Sequence, residues 1–208
     1  MIDAFQTFSS AYFIIEVTVS LLSGCSTYQP TQVNDVCRIF WGDTDWYEDA
    51  RRSSKRWGTP IGVMMAIIKQ ESAFQAKVRP DRPKFLFIPL PRRSSAYGYA
   101  QAQDAAWSDY RKETGHWSHD RDDFGDAINF VGWYTNKSQK RLGISKWDPY
   151  SQYLAYHEGW GGYSRKSFNK KPQLLSVAKK VQRQAEAYGA QLKKCSAKLD
   201  KSVRGWFF

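Results

Sequence analysis

One carboxylate stands out by its place in the chain. Glu71 follows the apolar run IGVMMAII, which is hydrophobic nearly all round and predicts a buried helix over residues 61–72. A carboxyl group at the end of such a helix meets a low-dielectric environment, which raises its pKa by penalising the charged form. An acid that is protonated near neutral pH can protonate the leaving oxygen of a glycosidic bond. This segment alone, however, favours a plainer interpretation, a helix-end residue that points to water.

The elements that would position Glu71 are mostly helical. Thr59 predicts a helix N-cap, and Pro60 predicts the first helical position. Residues 76–95 hold four of the eight prolines around the sequence FLFIPL, which excludes a regular helix. A loop of this length is typical of an ordered flap beside a site, and its apolar stretch could alternatively contact a membrane or a partner. Further helices are predicted over residues 45–56, 101–114, 123–139, 150–157 and 172–195.

Four short motifs follow one another along the chain. They are ESAF (71–74), SAYGYAQ (95–101), DAINFVGWY (126–134) and AYHEG (155–159). In this order they resemble the motifs of the soluble-lytic-transglycosylase (SLT) family, which shares its fold with goose-type lysozymes. The resemblance covers residues 57–163, about half of the chain. It implies a mainly α, lysozyme-like single domain over residues 26–208, with an added C-terminal helix.

The resemblance also implies roles for particular residues. Glu71 becomes the single general acid/base, and the hydroxyl of Tyr156 orients its carboxyl group. Gly98 allows the backbone to approach a sugar closely. His157 stands where the family usually has Asn, and with Glu158 it is equally well explained as a surface pair at a helix end. The substrate-binding residues carried over from the family are Ser72, Gly98, Tyr99, Gln101, Asn129, Tyr134, Tyr156 and His157.

The family's reaction needs one acid rather than two. Hydrolysing glycosidases pair two carboxylates, and no second carboxylate stands at a position that the family uses catalytically. The resemblance therefore implies a lyase that cleaves the MurNAc–GlcNAc β-1,4 bond of peptidoglycan strands and forms 1,6-anhydro-MurNAc, without metal or cofactor. A hydrolytic muramidase on the same fold and a non-catalytic cell-wall-binding lipoprotein remain alternatives.

The first residues predict export. A mostly apolar run from Ala11 to Leu22 leads into LSGC, which resembles a lipobox whose cysteine, Cys25, is lipidated after cleavage. Glu16 within the run and the absence of Lys and Arg before it are atypical, and a buried helix is the alternative. Residues 1–25 are thus predicted to be a lipoprotein signal peptide. Residue Ser26 favours an outer-membrane anchor facing the periplasm.

Cys37 and Cys195 then remain as an even pair in an oxidising compartment. Cys195 lies on the apolar stripe of the predicted last helix, so a disulfide between them is one expectation and two buried thiols are the other.

The net charge of +11 is concentrated near the C-terminus, where residues 165–204 hold twelve Lys or Arg against two acids. Such a basic face attracts any polyanion. No nucleic-acid-binding signature accompanies it, so the expected partners are peptidoglycan and, through Cys25, a membrane, with the chain as a monomer.

Overall fold

The computed structural model describes residues 27–92 and 94–204, so the predicted signal peptide and Cys25 lie outside the described residues. The described chain is mainly α, which confirms the predicted fold class. No helix in these two ranges is long and apolar enough to span a membrane. The helices are α1 Val36–Gly42, α2 Thr44–Trp57, α3 Ile61–Ser72, α4 Asp104–Thr114, α5 Phe124–Leu142, α6 Pro149–Ser164 and α7 Pro172–Arg204. A 3-10 turn, Ser167–Lys170, precedes α7, and the two-residue strands β1 Lys84–Phe85 and β2 Ile88–Pro89 pair antiparallel.

Helix α3 is the buried centre of the domain, as its apolar sequence predicts. Residues 62–68 are all buried, and the helix packs most extensively against α7. Gly62 makes this close packing possible, because a Cβ atom there would lie 2.8 Å from the carbonyl oxygen of Ala185. The long C-terminal helix therefore forms one wall of the core and supports the segment that ends at Glu71.

The predicted cap of α3 is wrong. The helix begins at Ile61 and Pro60 precedes it, with no side-chain cap. The Thr59 hydroxyl instead bonds the Thr135 hydroxyl of α5 at 2.7 Å, and both residues are fully buried. A buried hydroxyl must find a partner, and α5 provides it at the expense of the cap.

Several other helix boundaries differ from the predicted ones, among them the end of α5 at Leu142 rather than 139, and α1 was not predicted. Helix α4 begins at Asp104 because residues 97–102 form a turn closed by a Tyr97–Ala102 bridge. Helix α6 runs past His157 to Ser164, across a break at Gly159. Helix α7 continues nine residues beyond Cys195.

A disulfide joins α1 to α7. Cys37 and Cys195 are bonded, with their Cα atoms 6.1 Å apart and a separation of 158 positions in sequence. The Tyr47 hydroxyl of α2 donates to the Asp200 carboxylate at 2.9 Å, near the end of the same long helix. The C-terminal helix is thus tied to both of the first two helices.

The proline-rich loop contains the short hairpin β1–β2, which the sequence did not predict. Its base is tied down in two places. The Arg92 Nε donates to the Pro80 carbonyl at 2.8 Å, and the Val78 carbonyl accepts from the Gly98 N–H at 3.1 Å. The base of the loop therefore lies against the second sequence motif.

Candidate active site

The backbone turns sharply just after Glu71. Ala73 and Phe74 both have left-handed conformations, with φ of 49° and 62°. Such angles are uncommon for residues other than glycine, and they persist only where the surroundings enforce them. Here the enforcing contact is the Phe74 ring, which is fully buried. The first motif therefore ends α3 abruptly and fixes the Glu71 side chain at the end of the helix.

The carboxyl group of Glu71 is buried and poorly solvated. Its Oε1 atom has no hydrogen-bond partner among the described residues. Burial raises the pKa of Glu71 from 4.5 to about 7, and an interaction with the Tyr153 hydroxyl opposes this rise. No other carboxylate in the described ranges contributes to the shift. Glu71 can therefore hold a proton at neutral pH and can also lose it.

Tyr153 of α6, which the sequence analysis missed, is the polar neighbour of Glu71. Its own pKa is raised by burial first and then by Glu71. Tyr156, which was expected to orient the carboxyl group, instead donates from its hydroxyl to the Ala100 carbonyl at 2.6 Å. Tyr153 precedes Tyr156 by three positions, so both side chains lie on one face of α6. That spacing could have indicated Tyr153 as a second candidate neighbour of Glu71.

His157 and Glu158 belong to a network of hydrogen bonds and ion pairs, rather than forming an isolated pair on the surface. The Glu158 side chain is only 3% exposed, and its carboxylate accepts from Lys171 Nζ at 2.7 and 3.0 Å and from the Ser167 hydroxyl. His157 Nδ1 lies 3.1 Å from the same carboxylate. Burial raises the pKa of Glu158, but bonds from Lys171, Ser167 and His157 outweigh it and lower this pKa to about 2. Glu158 therefore joins α6 to the start of α7.

A cavity of about 680 Å³ opens beside this network. It reaches Tyr153, the neighbour of Glu71, and Gln70, which precedes Glu71 in the chain. His157 also lines it, which places the predicted site residue at the rim of the same depression. The other lining residues belong to the junction before α7 and to its first turns: Lys170, Lys171, Pro172, Gln173, Leu174 and Val177.

Comparison with known protein families matches residues 13–195 to the transglycosylase SLT domain. The chain belongs to this family. The family accounts for a peptidoglycan transglycosylase activity in general, and for the lysozyme-like fold. No curated protein matches the chain, and no solved structure matches it.

The second motif of this SLT domain has a structural role that differs from the expected one. Gly98 has φ of 79°, and a Cβ atom there would lie 1.9 Å from the Arg121 carbonyl oxygen, so the glycine accommodates protein backbone rather than a sugar. Tyr99 is 1% exposed and packs edge-on against Trp46 and Phe124, so it belongs to the core and does not face a glycan.

Gln101 holds the loop that carries this motif. Its amide nitrogen donates to the carbonyls of Val78 at 3.0 Å and Gly98 at 2.9 Å. Its backbone has φ of 48°, in the left-handed region. The amide nitrogen that was expected to bind substrate is therefore occupied by the protein.

Three more predicted substrate residues make internal contacts. The Ser72 hydroxyl bonds the Ile68 carbonyl one turn back at 3.2 Å. Asn129 accepts from the Trp57 ring nitrogen at 2.6 Å. Tyr134 donates to the Ala155 carbonyl at 3.2 Å and is buried. None of the three lines the cavity beside Tyr153.

Six other acidic residues gather elsewhere in this SLT domain. A second cavity, of about 500 Å³, includes neither Glu71 nor Tyr153. No group of three metal-ligating side chains comes together in the part of the chain that the structure describes. The acids that line the second cavity are Asp43, Asp45, Glu48, Asp49, Asp122 and Asp123.

Proposed function

We propose that this chain is a lytic transglycosylase that cleaves the MurNAc–GlcNAc β-1,4 bond of peptidoglycan, with Glu71 as its only acid/base. The observation that carries the proposal is the buried Glu71 carboxyl group, whose pKa is raised to about 7. One group with this pKa can serve as the acid and then as the base within one turnover. Family membership supplies the substrate class.

The reaction runs in two proton transfers. The Glu71 carboxylic acid protonates the glycosidic oxygen, the bond from that oxygen to the muramyl C1 breaks, and GlcNAc departs as an alcohol. The 2-acetamido group of the substrate assists the cationic centre at C1. The Glu71 carboxylate then removes the proton from the muramyl 6-hydroxyl, and the oxygen of that hydroxyl bonds C1 to close the anhydro ring. Water is neither consumed nor positioned, so a second carboxylate has no part in it.

Tyr153 supports this cycle by position. Its hydroxyl lies beside the Glu71 carboxyl group and stabilises the charged form that the second step requires, because it lowers the pKa that burial raises. Burial favours the protonated form that the first step requires. The two opposing effects leave the pKa of Glu71 at about 7, so both its protonated and its charged form are accessible at neutral pH.

Product analysis of wild type and Glu71→Gln, side by side, tests the proposal. The expected wild-type product ends in 1,6-anhydro-MurNAc by mass spectrometry, and the variant loses clearing of a peptidoglycan zymogram by a factor on the order of a thousand or more. A reducing-end product would instead identify a hydrolytic muramidase. Clearing that is unchanged in Glu71→Gln would identify a non-catalytic binding protein.

We further propose that the chain is carried to the cell envelope by residues 1–25 and anchored by lipid on Cys25, in the outer membrane facing the periplasm. The sequence LSGC and the oxidised Cys37–Cys195 pair support export. Processing that stops when cells are treated with globomycin would agree with a lipid anchor. Processing that continues unchanged would contradict it.

A further inference from the structure

The tip of the hairpin β1–β2 exposes large apolar side chains. Phe87 is 96% exposed, Leu86 is 77% exposed and Leu90 is 40% exposed. Phe87 and Leu86 are adjacent, so they form one apolar point rather than scattered surface residues. Contiguous exposed apolar side chains commonly mark a binding surface for protein or membrane.

Neither the turn nor the core explains these residue types. Leu86 and Phe87 are the two residues between the paired strands, and Leu86 adopts φ of 56°. Two-residue hairpin turns with positive φ favour Asn and Gly, because a larger side chain is strained there. The chain thus has two bulky residues where turn formation favours small ones. Their side chains are almost wholly in solvent, so packing within the fold does not explain them either.

The charge around the tip is strongly positive. Residues 76–95 contain six Lys or Arg and a single acid, Asp81. Lys77, Arg79 and Arg82 are exposed, and the Arg79 guanidinium lies 4.0 Å above the Tyr97 ring. Cations that flank an apolar tip match the layers of an anionic bilayer, whose charged headgroups lie outside its hydrocarbon.

We propose that this tip inserts into an anionic lipid surface, with Leu86 and Phe87 entering the hydrocarbon boundary and the flanking cations contacting headgroups. A glycan strand fits less well, because the Phe87 ring could stack on a sugar but neither tip residue has a polar side chain to bond its hydroxyls. A second copy of the chain would bring two strongly cationic loops together. An anionic wall polymer would satisfy the charge but would leave the apolar tip in water.

Vesicle co-sedimentation tests the proposal directly. Every sample is the predicted mature form, residues 26–208, so that neither the apolar run of residues 11–22 nor lipid on Cys25 can contribute. Wild-type loop sequence is compared with the double variant Leu86→Ser, Phe87→Ser on vesicles of phosphatidylcholine and phosphatidylglycerol in equal parts. We expect the double variant to bind at least about tenfold more weakly, because both apolar side chains lose their burial. Vesicles of phosphatidylcholine alone should bind the unaltered loop more weakly than the mixed vesicles.

Trp147→Ser is the matched control, since Trp147 is 78% exposed but lies between α5 and α6. It should bind mixed vesicles as the unaltered chain does. Binding that falls equally in Trp147→Ser and in the tip variant would overturn the proposal. So would a tip variant that loses affinity for insoluble peptidoglycan but not for vesicles, because that result would assign the tip to the glycan.

A probe at the tip tests insertion even where another part of the chain adds to binding. A cysteine introduced as Phe87→Cys in residues 26–208, with the native disulfide intact, carries an environment-sensitive fluorophore. The expected result is a blue shift on mixed vesicles and quenching by a lipid-soluble quencher. The same fluorophore on Trp147→Cys should show neither. A tip probe that stays in water while the protein is vesicle-bound would contradict insertion.

Discussion

Glu71 is held in a state that costs folding free energy. Its pKa is about 7 in the folded chain against 4.5 for an ordinary glutamate, because burial disfavours its charge. The folded state therefore binds the proton more tightly, so stability falls as pH rises from 4.5 to about 7 and then levels off. This loss of stability is expected where a buried group is kept for catalysis rather than for folding.

This cost predicts a pH-dependent gain in Glu71→Gln. The amide does not titrate, so the stability of the variant relative to wild type should rise by roughly 3 kcal/mol between about pH 4 and about pH 8. Urea unfolding of both proteins across that range measures the difference. Glu186→Gln, on the exposed side of α7, is the matched control for replacing a carboxyl group by an amide. A flat difference for Glu71→Gln would mean that its carboxyl group is not desolvated.

Tyr153→Phe should change the pH profile of the activity. The Tyr153 hydroxyl lowers the pKa of Glu71, so its removal should raise that pKa further. The alkaline limb of the profile, where Glu71 loses its proton, should then move to higher pH. Rates measured across the neutral range on purified peptidoglycan check the shift.

Tyr156→Phe is the comparison for that experiment. It removes a bond to the Ala100 carbonyl, and the Tyr156 hydroxyl is not among the causes that shift the pKa of Glu71. We expect it to lower stability by about 1 kcal/mol while the alkaline limb keeps its position. If the alkaline limb lies at the same pH in wild type and in Tyr153→Phe, the Tyr153 hydroxyl does not lower the pKa of Glu71.

The sequence indicated Glu71 but not its setting. An apolar helix that ends in a carboxylate is visible in the sequence of residues 61–72. Tyr99 was interpreted as a glycan contact because its motif resembles that of the family, yet its neighbours are Trp46 and Phe124, which are distant in sequence. Such contacts follow from tertiary packing, which local pattern does not contain.

At the scale of elements, the second motif packs closely on the α4–α5 connection. Gly98→Ala should destabilise the protein by on the order of 3 kcal/mol, because the new Cβ would clash with the Arg121 carbonyl in an already left-handed conformation. Gly115→Ala has a similar φ of 74° but nothing within 4 Å, so it should cost about 1 kcal/mol. Thermal or urea unfolding compares the two. Equal losses would show that the close contact with Arg121 adds nothing to the backbone strain.

Helices were predictable where a single local signal was strong. Helix α3 has the predicted bounds, because its apolar run and the following turn leave little choice. Helix α6 was predicted to end at His157, but the chain resumes a helix after Gly159, whose φ of 71° and ψ of 162° suit glycine alone. Glu158, next to this break, bonds Lys171 and Ser167. No local sequence pattern predicted these two bonds.

At the scale of the whole molecule, the disulfide links the first and last described helices. It closes a loop of 158 positions, so replacing both cysteines, Cys37→Ser and Cys195→Ser, should lower the free energy of unfolding by about 2–4 kcal/mol. Urea unfolding with and without reductant measures the effect. The reductant should destabilise wild type and leave the double variant unchanged. A wild-type protein that is insensitive to reductant would contradict a stabilising bridge.

The distribution of basic residues along the chain was predictable from the sequence, whereas the clustering of acidic residues in the folded chain was not. The basic excess of residues 165–204 is plain in the sequence. The structure adds that six acids gather in one cavity apart from Glu71. The molecule thus presents an acidic depression as well as a basic helix, and Glu71 does not line that depression.

Digestion of peptidoglycan in water labelled with heavy oxygen tests the central claim most directly. If Glu71 alone drives ring closure by the muramyl 6-hydroxyl, no solvent oxygen enters the product. The account therefore predicts anhydro-muramyl ends of unlabelled mass, formed by wild type and absent with Glu71→Gln. Products that carry one heavy oxygen at a reducing muramyl end would show that water attacks C1, and would contradict the account.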